Sequence, residues 1–396
     1  MAKKADKLLQ QAIDAYAAGR VDEARTTYER VLVYEPYHLD GNYLLGTLHA
    51  ERGDTERALA HLVKANAIAP DSPLVNNNLG NVYRTIGRDA EATDHYQRAL
   101  AVMPDLGAAH HGLAILQKKA GRIAQAETSF RRAAQLMPAN ADVLLGLAEC
   151  MLQLGRQGEA RNVLERVVHL EPDHPAAGHM LAAATGESPD APPATWVKWL
   201  FDRGSATFDE HLVEQLRYRG PEMLAEAVAA VAGEDARFES AVDLGCGTGL
   251  VGSKVRSAVG RLVGVDLSPR MLEVAAARGI YDACDCADVV EFLTRDPSAW
   301  DLILAGDVLI YVGRLEALFR AAERATRPGA LFAFTVETID DGDVRLTPSG
   351  RYAHSNTYVR GLAEACSFDV VHAAEGVLRL EGGQPVPANT LVLRRQ

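Results

Sequence analysis

The sequence predicts two fold classes in one chain: an all-α solenoid of helical hairpins, followed by an α/β domain with a doubly wound, mostly parallel sheet. Two observations carry this prediction. In the first half, small residues and prolines recur every 34 residues. In the second half, short apolar runs alternate with amphipathic segments, which is the pattern of a sheet covered by helices.

Four columns of residues define the 34-residue repeat. The glycine column predicts a left-handed end to the first helix of each unit, and the proline column ends the second helix. The other two columns contain only alanine and glycine, so the two helices of a hairpin can pack closely. One hairpin cannot bury its apolar face alone, so five are expected to stack over residues 5–174. The columns are Gly19, Gly53, Gly87, Gly121 and Gly155; Pro36, Pro70, Pro104, Pro138 and Pro172; Ala24, Ala58, Ala92, Ala126 and Ala160; and Ala12, Gly46, Gly80, Ala114 and Ala148.

The stretch NNNLGNVYRTIGRDAEATDHYQRALAVMP resembles a tetratricopeptide repeat. Asn76 stands where that repeat has tryptophan, whereas the other marker positions match. The resemblance implies a protein-interaction array with a concave inner face. We therefore expect a repeat domain over residues 1–186 that ends in a capping helix, a linker over 187–195, and a second domain over 196–396. The matching residues are Leu79, Gly80, Tyr83, Ala92, Tyr96 and Pro104.

The first helix of each hairpin is expected to line the concave face, with equivalent positions in rows across it. One such row pairs asparagines and cations of adjacent repeats, which suits an extended protein or peptide partner: amides pair with its backbone, and cations with an acidic group. The alternative is a solvated face with no partner. The residues predicted to bind the partner are Asn77, Asn81, Arg84, His111 and Lys118.

A glycine-rich loop, AVDLGCGTGLVG, follows the first apolar run of the second half. Read from Gly247, it has the spacing of a dinucleotide-binding fingerprint; read from Gly245, it fits other adenosyl ligands. Asp243 would repel a pyrophosphate at this position. S-adenosylmethionine carries no phosphate, and its ammonium can lie near Asp243. The helix beginning near Gly249 can bind its carboxylate.

The next apolar run, LVGVDLS, ends in Asp266, where a carboxylate can accept both hydroxyls of a ribose. Ser268 then caps a helix that has Pro269 at its first position. These segments resemble a class I S-adenosylmethionine-dependent methyltransferase of Rossmann-like fold from about residue 196 onward. The resemblance implies a mostly parallel sheet of seven strands. The complete arrangement is similar to bacterial predicted methyltransferases that carry a tetratricopeptide array. The segments concerned are VDLGCGTG, VDLSPRML, AGDVLIY, RPGALFAFTVE, FDRGSATFDEHLVEQLRYRGPEML and GRYAHSNTYVRGLAEACSF.

The resemblance implies S-adenosylmethionine as cofactor and S-adenosylhomocysteine as product, and it implies roles for individual residues. The loop glycines would line the methionine part, and two apolar residues would lie beside the adenine. Asp288 with Val289 would contact the adenine amino group, although Asp285 is a rival for that role. Asp307 would face the methyl acceptor. The loop glycines are Gly245, Gly247 and Gly249, and the apolar residues are Leu267 and Met271.

A methyl acceptor that is an oxygen needs a general base, and histidine suits that role near neutral pH. His354 is the candidate base, and Tyr311 could orient the acceptor; the alternative roles are a loop-bonding histidine and a core tyrosine. His211 and Tyr218 lie in a segment that could fold over the cofactor. The acceptor atom stays open among nitrogen, oxygen and sulfur, with nitrogen or oxygen favoured, and the acceptor molecule stays open between a protein and a small metabolite.

The composition narrows the function further. The net charge is -12, most of it in the second half, which disfavours a nucleic-acid substrate. Five scattered cysteines indicate reduced thiols in a cytoplasm and no metal site, and no apolar run is long enough for a membrane span. Two alternatives remain: a scaffold whose second domain only binds cofactor, and a nicotinamide oxidoreductase, which Asp243 disfavours.

Overall fold

The computed structural model describes residues 2–202, 209, 212, 216–295, 300–381 and 384–396. The chain divides into two compact units, Met1–Cys150 and Met151–Gln396. No helix among the described residues is both long and apolar enough to cross a membrane.

The predicted helical hairpins occupy residues 2–170, and the boundary between the two units falls inside the first helix of the fifth hairpin. Each proline of the 34-residue repeat follows the second helix of its unit, as expected. The helices of the repeats are α1 (Ala2–Ala17), α2 (Val21–Tyr34), α3 (Leu39–Glu51), α4 (Thr55–Ile68), α5 (Pro73–Thr85), α6 (Asp89–Val102), α7 (Gly107–Lys119), α8 (Ile123–Leu136), α9 (Ala141–Gln153) and α10 (Gln157–Leu170).

The glycine column ends the first helices as predicted. Gly87 has a φ of +77°, and the other four glycines of the column lie between +72° and +77°. After α5, the Gly87 N–H donates to the Arg84 carbonyl, and the Arg88 N–H donates to that of Tyr83 at 2.8 Å. These bonds satisfy carbonyls that the helix end would otherwise leave unpaired.

Close packing explains the small-residue column, and a polar network replaces the missing tryptophan. A Cβ atom at Gly80 would lie 2.6 Å from Tyr96, which is fully buried between the helices. Asn76 is also buried, and its amide donates to the Pro70 carbonyl at 2.6 Å. Its Oδ1 lies 2.8 Å from Nδ1 of His95. Asn76 of α5 thus joins α6, through His95, to the loop that precedes α5, through Pro70.

The second unit contains the predicted sheet. Within the described residues the strand order is β3-β2-β1-β4-β5-β7-β6, and β9 pairs with both β5 and β8. Strands β1 to β5 are parallel, whereas β9 is antiparallel to its two neighbours. The strands are β1 (Phe238–Leu244), β2 (Val259–Asp266), β3 (Ala283–Cys286), β4 (Trp300–Ala305), β5 (Thr326–Ile339), β6 (Val344–Leu346), β7 (Tyr352–Ser355), β8 (Phe368–Glu381) and β9 (Gln384–Arg395).

The short strands β6 and β7 raise the number of strands above the predicted seven. They form because β5 continues past the sheet core, where Thr338 and Ile339 pair with His354 and Ser355 of β7. Helices flank the sheet, and apolar clusters fill both of its faces. The helices of this unit after α10 are α11 (Ala177–Thr185), α12 (Ala194–Asp202), α13 (Gly220–Ala232), α14 (Leu250–Val255), α15 (Pro269–Ala277), α16 (Val289–Arg295), α17 (Glu316–Ala325) and α18 (Asn356–Ala365).

The segment predicted to be a linker contacts the α/β domain through Ser188 and Asp190. The Ser188 hydroxyl accepts the N–H of Leu346 at 2.9 Å, and the Asp190 carbonyl accepts that of Arg314 at 2.7 Å. A Cβ atom at Gly313 would lie only 2.2 Å from that same carbonyl. A helix, α11, lies where the capping helix is expected, and its alanines pack beside β6 and β7.

Candidate functional site

The glycine loop lies at the carboxyl end of β1, where parallel sheets of this kind bind their ligands. Gly245, Gly247 and Gly249 have φ angles of +60°, +53° and +96°, which side-chain-bearing residues rarely adopt. Gly249 begins α14. A Cβ atom at Gly245 would lie 2.4 Å from Val308, so the loop packs closely against the segment after β4.

Asp266 connects the loop to the end of β2, as its position in the sequence predicts. Its Oδ2 accepts the N–H of Gly247 at 2.9 Å, and its Oδ1 accepts that of Ser268 at 2.8 Å. Each carboxylate oxygen has two lone pairs, so each has one left for a ligand hydroxyl. The residue is 8% exposed, and burial raises its pKa. This donor set fits a ribose diol.

Asp243 lies beneath the loop rather than at its surface. The carboxyl is 1% exposed and accepts the hydroxyl of Tyr281 at 2.6 Å. Burial raises its pKa to about 7, while Tyr281 and the backbone N–H of Gly252 favour the ionised form. The predicted position beside a ligand ammonium therefore needs correction: protein groups surround Asp243.

The residues predicted beside the adenine have different environments. Leu267 and Val289 are half-buried, but Met271 is fully buried in the core. Asp288 is exposed, and its Oδ1 accepts the N–H groups of Val290 and Glu291 at the start of α16. Its rival Asp285 pairs with Arg295 at 3.2 Å. Both candidate carboxylates thus have protein partners.

A buried guanidinium binds the carboxylates near Asp307, beyond the end of β4. Arg379 of β8 is 2% exposed and pairs with three carboxylates. Its bidentate pair with Asp307 has distances of 2.8 and 2.9 Å, and its Nε lies 2.8 Å from Glu381. Glu337 of β5 is the third partner. Arg351 also donates to Glu381, at 2.6 Å. The carboxylates raise the pKa of Arg379 despite its burial.

The backbone of Asp307 is held in an unusual conformation. Its φ is +59°, and its N–H donates to the Thr335 hydroxyl at 2.8 Å. Strained residues of this type cluster at functional sites. Asp307 is among the site residues predicted from the sequence, whereas its charged neighbours Arg379, Arg351, Glu337 and Glu381 are not. Charged residues inside otherwise apolar strands, such as Glu337 in FAFTVE, could have indicated them.

Tyr311 lies in a 3₁₀ turn just beyond β4. Its ring contacts Phe201, with centroids 5.0 Å apart, and Trp196 at 5.9 Å. Burial raises its pKa to about 12, so its hydroxyl is neutral at physiological pH. The position near Asp307 fits the predicted orienting role, and the aromatic contacts equally fit a packing role.

His354 is fully buried in β7, which argues against the predicted role as general base. Its Nε2 lies 2.7 Å from the Gly313 carbonyl, which can only accept, so this nitrogen carries a proton. Its Nδ1 is buried and has no hydrogen-bond partner among the described residues. Burial lowers its pKa. In this arrangement neither ring nitrogen is accessible to an acceptor.

Asp202, the last residue of α12, and Asp209 contact the loops that follow β2 and β1. Asp202 accepts the Ser268 hydroxyl at 2.7 Å. Asp209 accepts the Thr248 hydroxyl and pairs with Arg278. His211 lies outside the described residues. Tyr218 is buried, which raises its pKa well above the usual value.

The predicted partner row in the repeats is only partly available to a ligand. Asn81 accepts the Tyr96 hydroxyl at 2.7 Å, and Lys118 pairs with Glu149. The His111 ring lies 5.9 Å from that of Phe130. Two atoms in this row are buried and have no hydrogen-bond partner within the described part of the chain. These are Oδ1 of Asn77 and Nε of Arg84.

Comparison with protein families identifies both parts of the chain. Tetratricopeptide-repeat models match residues 9–73, 71–139 and 119–185. A methyltransferase-domain model matches residues 242–332, which include the glycine loop, Asp266 and Asp307. No curated protein matches the sequence.

Solved structures resemble each part separately. The N-methyltransferase NodS from Bradyrhizobium japonicum WM9, crystallised with S-adenosyl-L-homocysteine, is 17% identical, covers 50% of this chain and 98% of its own, and has a TM-score of 0.41. TTC0263, a tetratricopeptide protein from Thermus thermophilus, is 23% identical, covers 46% and 98%, and has a TM-score of 0.38. These similarities are too low to assign a function. The family models carry the assignment: the chain is a tetratricopeptide-repeat protein with a methyltransferase domain.

Proposed function

We propose that the protein is a class I methyltransferase that uses S-adenosylmethionine and methylates a nitrogen or oxygen of a protein recruited by its repeats. The observation that carries the cofactor assignment is Asp266. Its two carboxylate oxygens each retain a lone pair after binding the amides of Gly247 and Ser268. A ribose with two free hydroxyls matches that arrangement.

In this proposal, separate groups of residues bind the cofactor and orient the methyl acceptor. Bound S-adenosylmethionine supplies a methyl group already activated by the sulfonium. Asp266 holds the ribose, while the loop from Gly245 to Gly249 admits the methionine part without steric conflict. Asp307 and Tyr311, just beyond β4, orient the acceptor. Most of the rate enhancement then comes from positioning, and no step requires His354.

The repeats would deliver the acceptor. Arg84 and Asn77 each have a buried polar atom without a protein partner among the described residues, which supports a peptide-binding role for this face. The alternative function is a scaffold whose methyltransferase domain only binds cofactor or methylates a small metabolite.

Replacing Asp266 tests the cofactor assignment. Charge-assisted hydrogen bonds contribute about 1.5 to 3 kcal/mol each. We therefore expect Asp266→Ala to weaken S-adenosylmethionine binding at least about tenfold in calorimetric titration. Asp235→Ala, at an exposed position in the loop before β1, is the matched control and should bind normally. Equal affinity in the two variants would contradict the assignment.

Labelling a cell lysate tests recruitment. The full-length chain with radiolabelled cofactor should methylate a specific protein, and Arg84→Glu should abolish that labelling while cofactor affinity stays normal. Arg98→Glu changes an exposed arginine that pairs with Asp94 on α6, and serves as the control. If both variants label the protein as the wild type does, the repeats do not recruit it through this face.

A further inference from the structure

Gly252 lies too far along the chain for the glycine loop's ligand-binding role to explain why this position is a glycine. Gly252 completes the Gly-x-Gly-x-x-Gly pattern that begins at Gly247, yet it lies inside α14 and beyond the loop. In a dinucleotide-binding fold the third glycine permits close packing of helix and strand. Here a Cβ atom at Gly252 would lie 2.4 Å from the hydroxyl oxygen of Tyr281.

The ring of Tyr281 packs against two more glycines. A Cβ atom at Gly249 would lie 3.1 Å from the ring, and one at Gly264 of β2 would lie 3.2 Å from it. All three separations are closer than side chains normally approach. Glycines at 249, 252 and 264 therefore leave room for one tyrosine between the loop, α14 and β2.

The hydroxyl of that tyrosine reaches Asp243. It donates to Oδ2 at 2.6 Å, and the Gly252 N–H stabilises the same carboxylate. Gly249 is the N-cap of α14 and has no side chain with which to cap the helix, and the N–H of Gly252 in the first turn of α14 favours the ionised form of Asp243. The Tyr281 hydroxyl thus binds Asp243, whose carboxylate lies near the first turn of α14.

We propose that Tyr281 is a positioning residue for the cofactor: its hydroxyl keeps Asp243 ionised, and ionised Asp243 fixes the glycine loop in the shape that binds S-adenosylmethionine. This inference rests on the proposed function, since it concerns the same cofactor site.

The electrostatic environment makes the hydroxyl necessary. Asp243 is buried, which raises its pKa to about 7, and Asp266 at the end of β2 acts in the same direction. Among the described residues, the other titratable groups that face it are Cys246 in the loop and Tyr218 before α13, and both are neutral at physiological pH because burial raises their pKa. No cation is therefore among these groups, and the Tyr281 hydroxyl is the side-chain donor that favours the charged form.

The test measures how cofactor affinity depends on pH. In Tyr281→Phe, loss of the donor raises the pKa of Asp243, so more of the protein carries a neutral Asp243 at pH 7. The affinity of the full-length chain for S-adenosylhomocysteine, measured by calorimetric titration, should fall about five- to tenfold at pH 7 and recover by pH 9, because one pKa unit is a tenfold change in proton affinity. In wild type the decline should begin about one pH unit lower.

Two further variants separate this effect from simple loss of packing. Tyr352→Phe removes a buried hydroxyl that has no hydrogen-bond partner among the described residues, and it should bind as wild type does. In an Asp243→Asn background, Tyr281→Phe should cause no additional pH-dependent loss, because residue 243 can no longer ionise.

The outcomes are distinguishable. A Tyr281→Phe variant with wild-type affinity, or one weakened equally at every pH, would overturn the positioning role. A wild-type protein that binds no S-adenosylhomocysteine at any pH would instead overturn the proposed function.

Discussion

Glycines serve different purposes in the repeats and in the methyltransferase domain. Gly87 and its four equivalents all have φ near +75°, and a Cβ atom at Gly87 would meet nothing within 4 Å. Gly252 has an ordinary helical position, but a Cβ atom there would collide with Tyr281. The first kind of glycine sets a backbone angle, whereas the second makes room for a distant residue.

This difference shows what determines each fold. In the repeats, the residues that end and begin a helix lie within a few positions of each other, and the same solution recurs every 34 residues. In the methyltransferase domain, several key positions depend on a partner far along the chain, such as Asp307 on Arg379, 72 residues away. Substitutions should therefore have local, modest effects in the first region and larger, coupled effects in the second.

Arg379→Met should have the largest effect. It leaves three carboxylates near one another without their shared cation, and removing one partner of a buried ion pair costs about 3–5 kcal/mol. We expect urea unfolding of the full-length chain to show the methyltransferase transition at much lower denaturant. Arg88→Met, which removes an exposed arginine paired with Glu91 at the start of α6, should leave the repeat transition nearly unchanged, because exposed ion pairs contribute little to stability. Similar losses in the two variants would contradict the comparison.

Alanine at the two kinds of glycine should give intermediate effects. Gly252→Ala forces the Tyr281 hydroxyl to move, and overpacking of this kind costs about 1–3 kcal/mol. Gly87→Ala should cost about 1 kcal/mol, because a left-handed backbone disfavours any side chain. Denaturant unfolding measures both.

Coupling distinguishes the two alanine variants further. Tyr281→Phe should relieve part of the cost of Gly252→Ala, because the hydroxyl is the nearest atom, and it should leave the cost of Gly87→Ala unchanged. If the changes in unfolding free energy simply add in both double mutants, Tyr281 is not the reason why position 252 must be a glycine.

The smallest expected effect is a loss of repeat stability in mild acid. His49 and His61 stack with centroids 5.9 Å apart, and burial lowers the pKa of both. The unfolded chain, with ordinary values near 6.5, then binds protons more readily than the folded one. The contribution to stability is thus complete above about pH 6.5 and falls as pH drops below it.

The fourth repeat offers a matched control for this prediction. At the equivalent positions it carries Gln117 and Ser129, joined by a hydrogen bond of 2.8 Å. His49→Gln with His61→Ser copies that pair. The double variant should show a shallower decline of the repeat unfolding temperature between pH 7 and pH 5. An unchanged slope would assign the acid sensitivity to other groups.

The sequence predicted those features that depend on neighbours in the chain. The glycine and proline columns located the helices, and Ser268 caps α15 as expected, with its hydroxyl accepting the Met271 N–H. The position of Asp266 at the end of β2 was also predicted correctly. In each case the physical cause lies within a few residues.

Features that depend on the fold could not be predicted from one sequence. His354 has the residue type of a general base, but pairing of β7 with β5 buries it. The resemblance implies that Asp288 contacts adenine, which stays a prediction, but it gave no sign that Asp288 accepts the Val290 N–H at the start of α16. The role of Tyr281 depends on glycines up to 32 positions away, which its own surroundings in the sequence do not reveal.

The contacts of residues 188 and 190 have a practical consequence for anyone who wishes to move this enzyme onto another protein. A gene fragment that starts at residue 196 would lose the acceptor for the Leu346 amide and expose Tyr352, which packs against Ala182 and Ala183. The transplantable catalytic module therefore begins ahead of Ala177. Any fusion of the methyltransferase domain to another protein would therefore have to include α11.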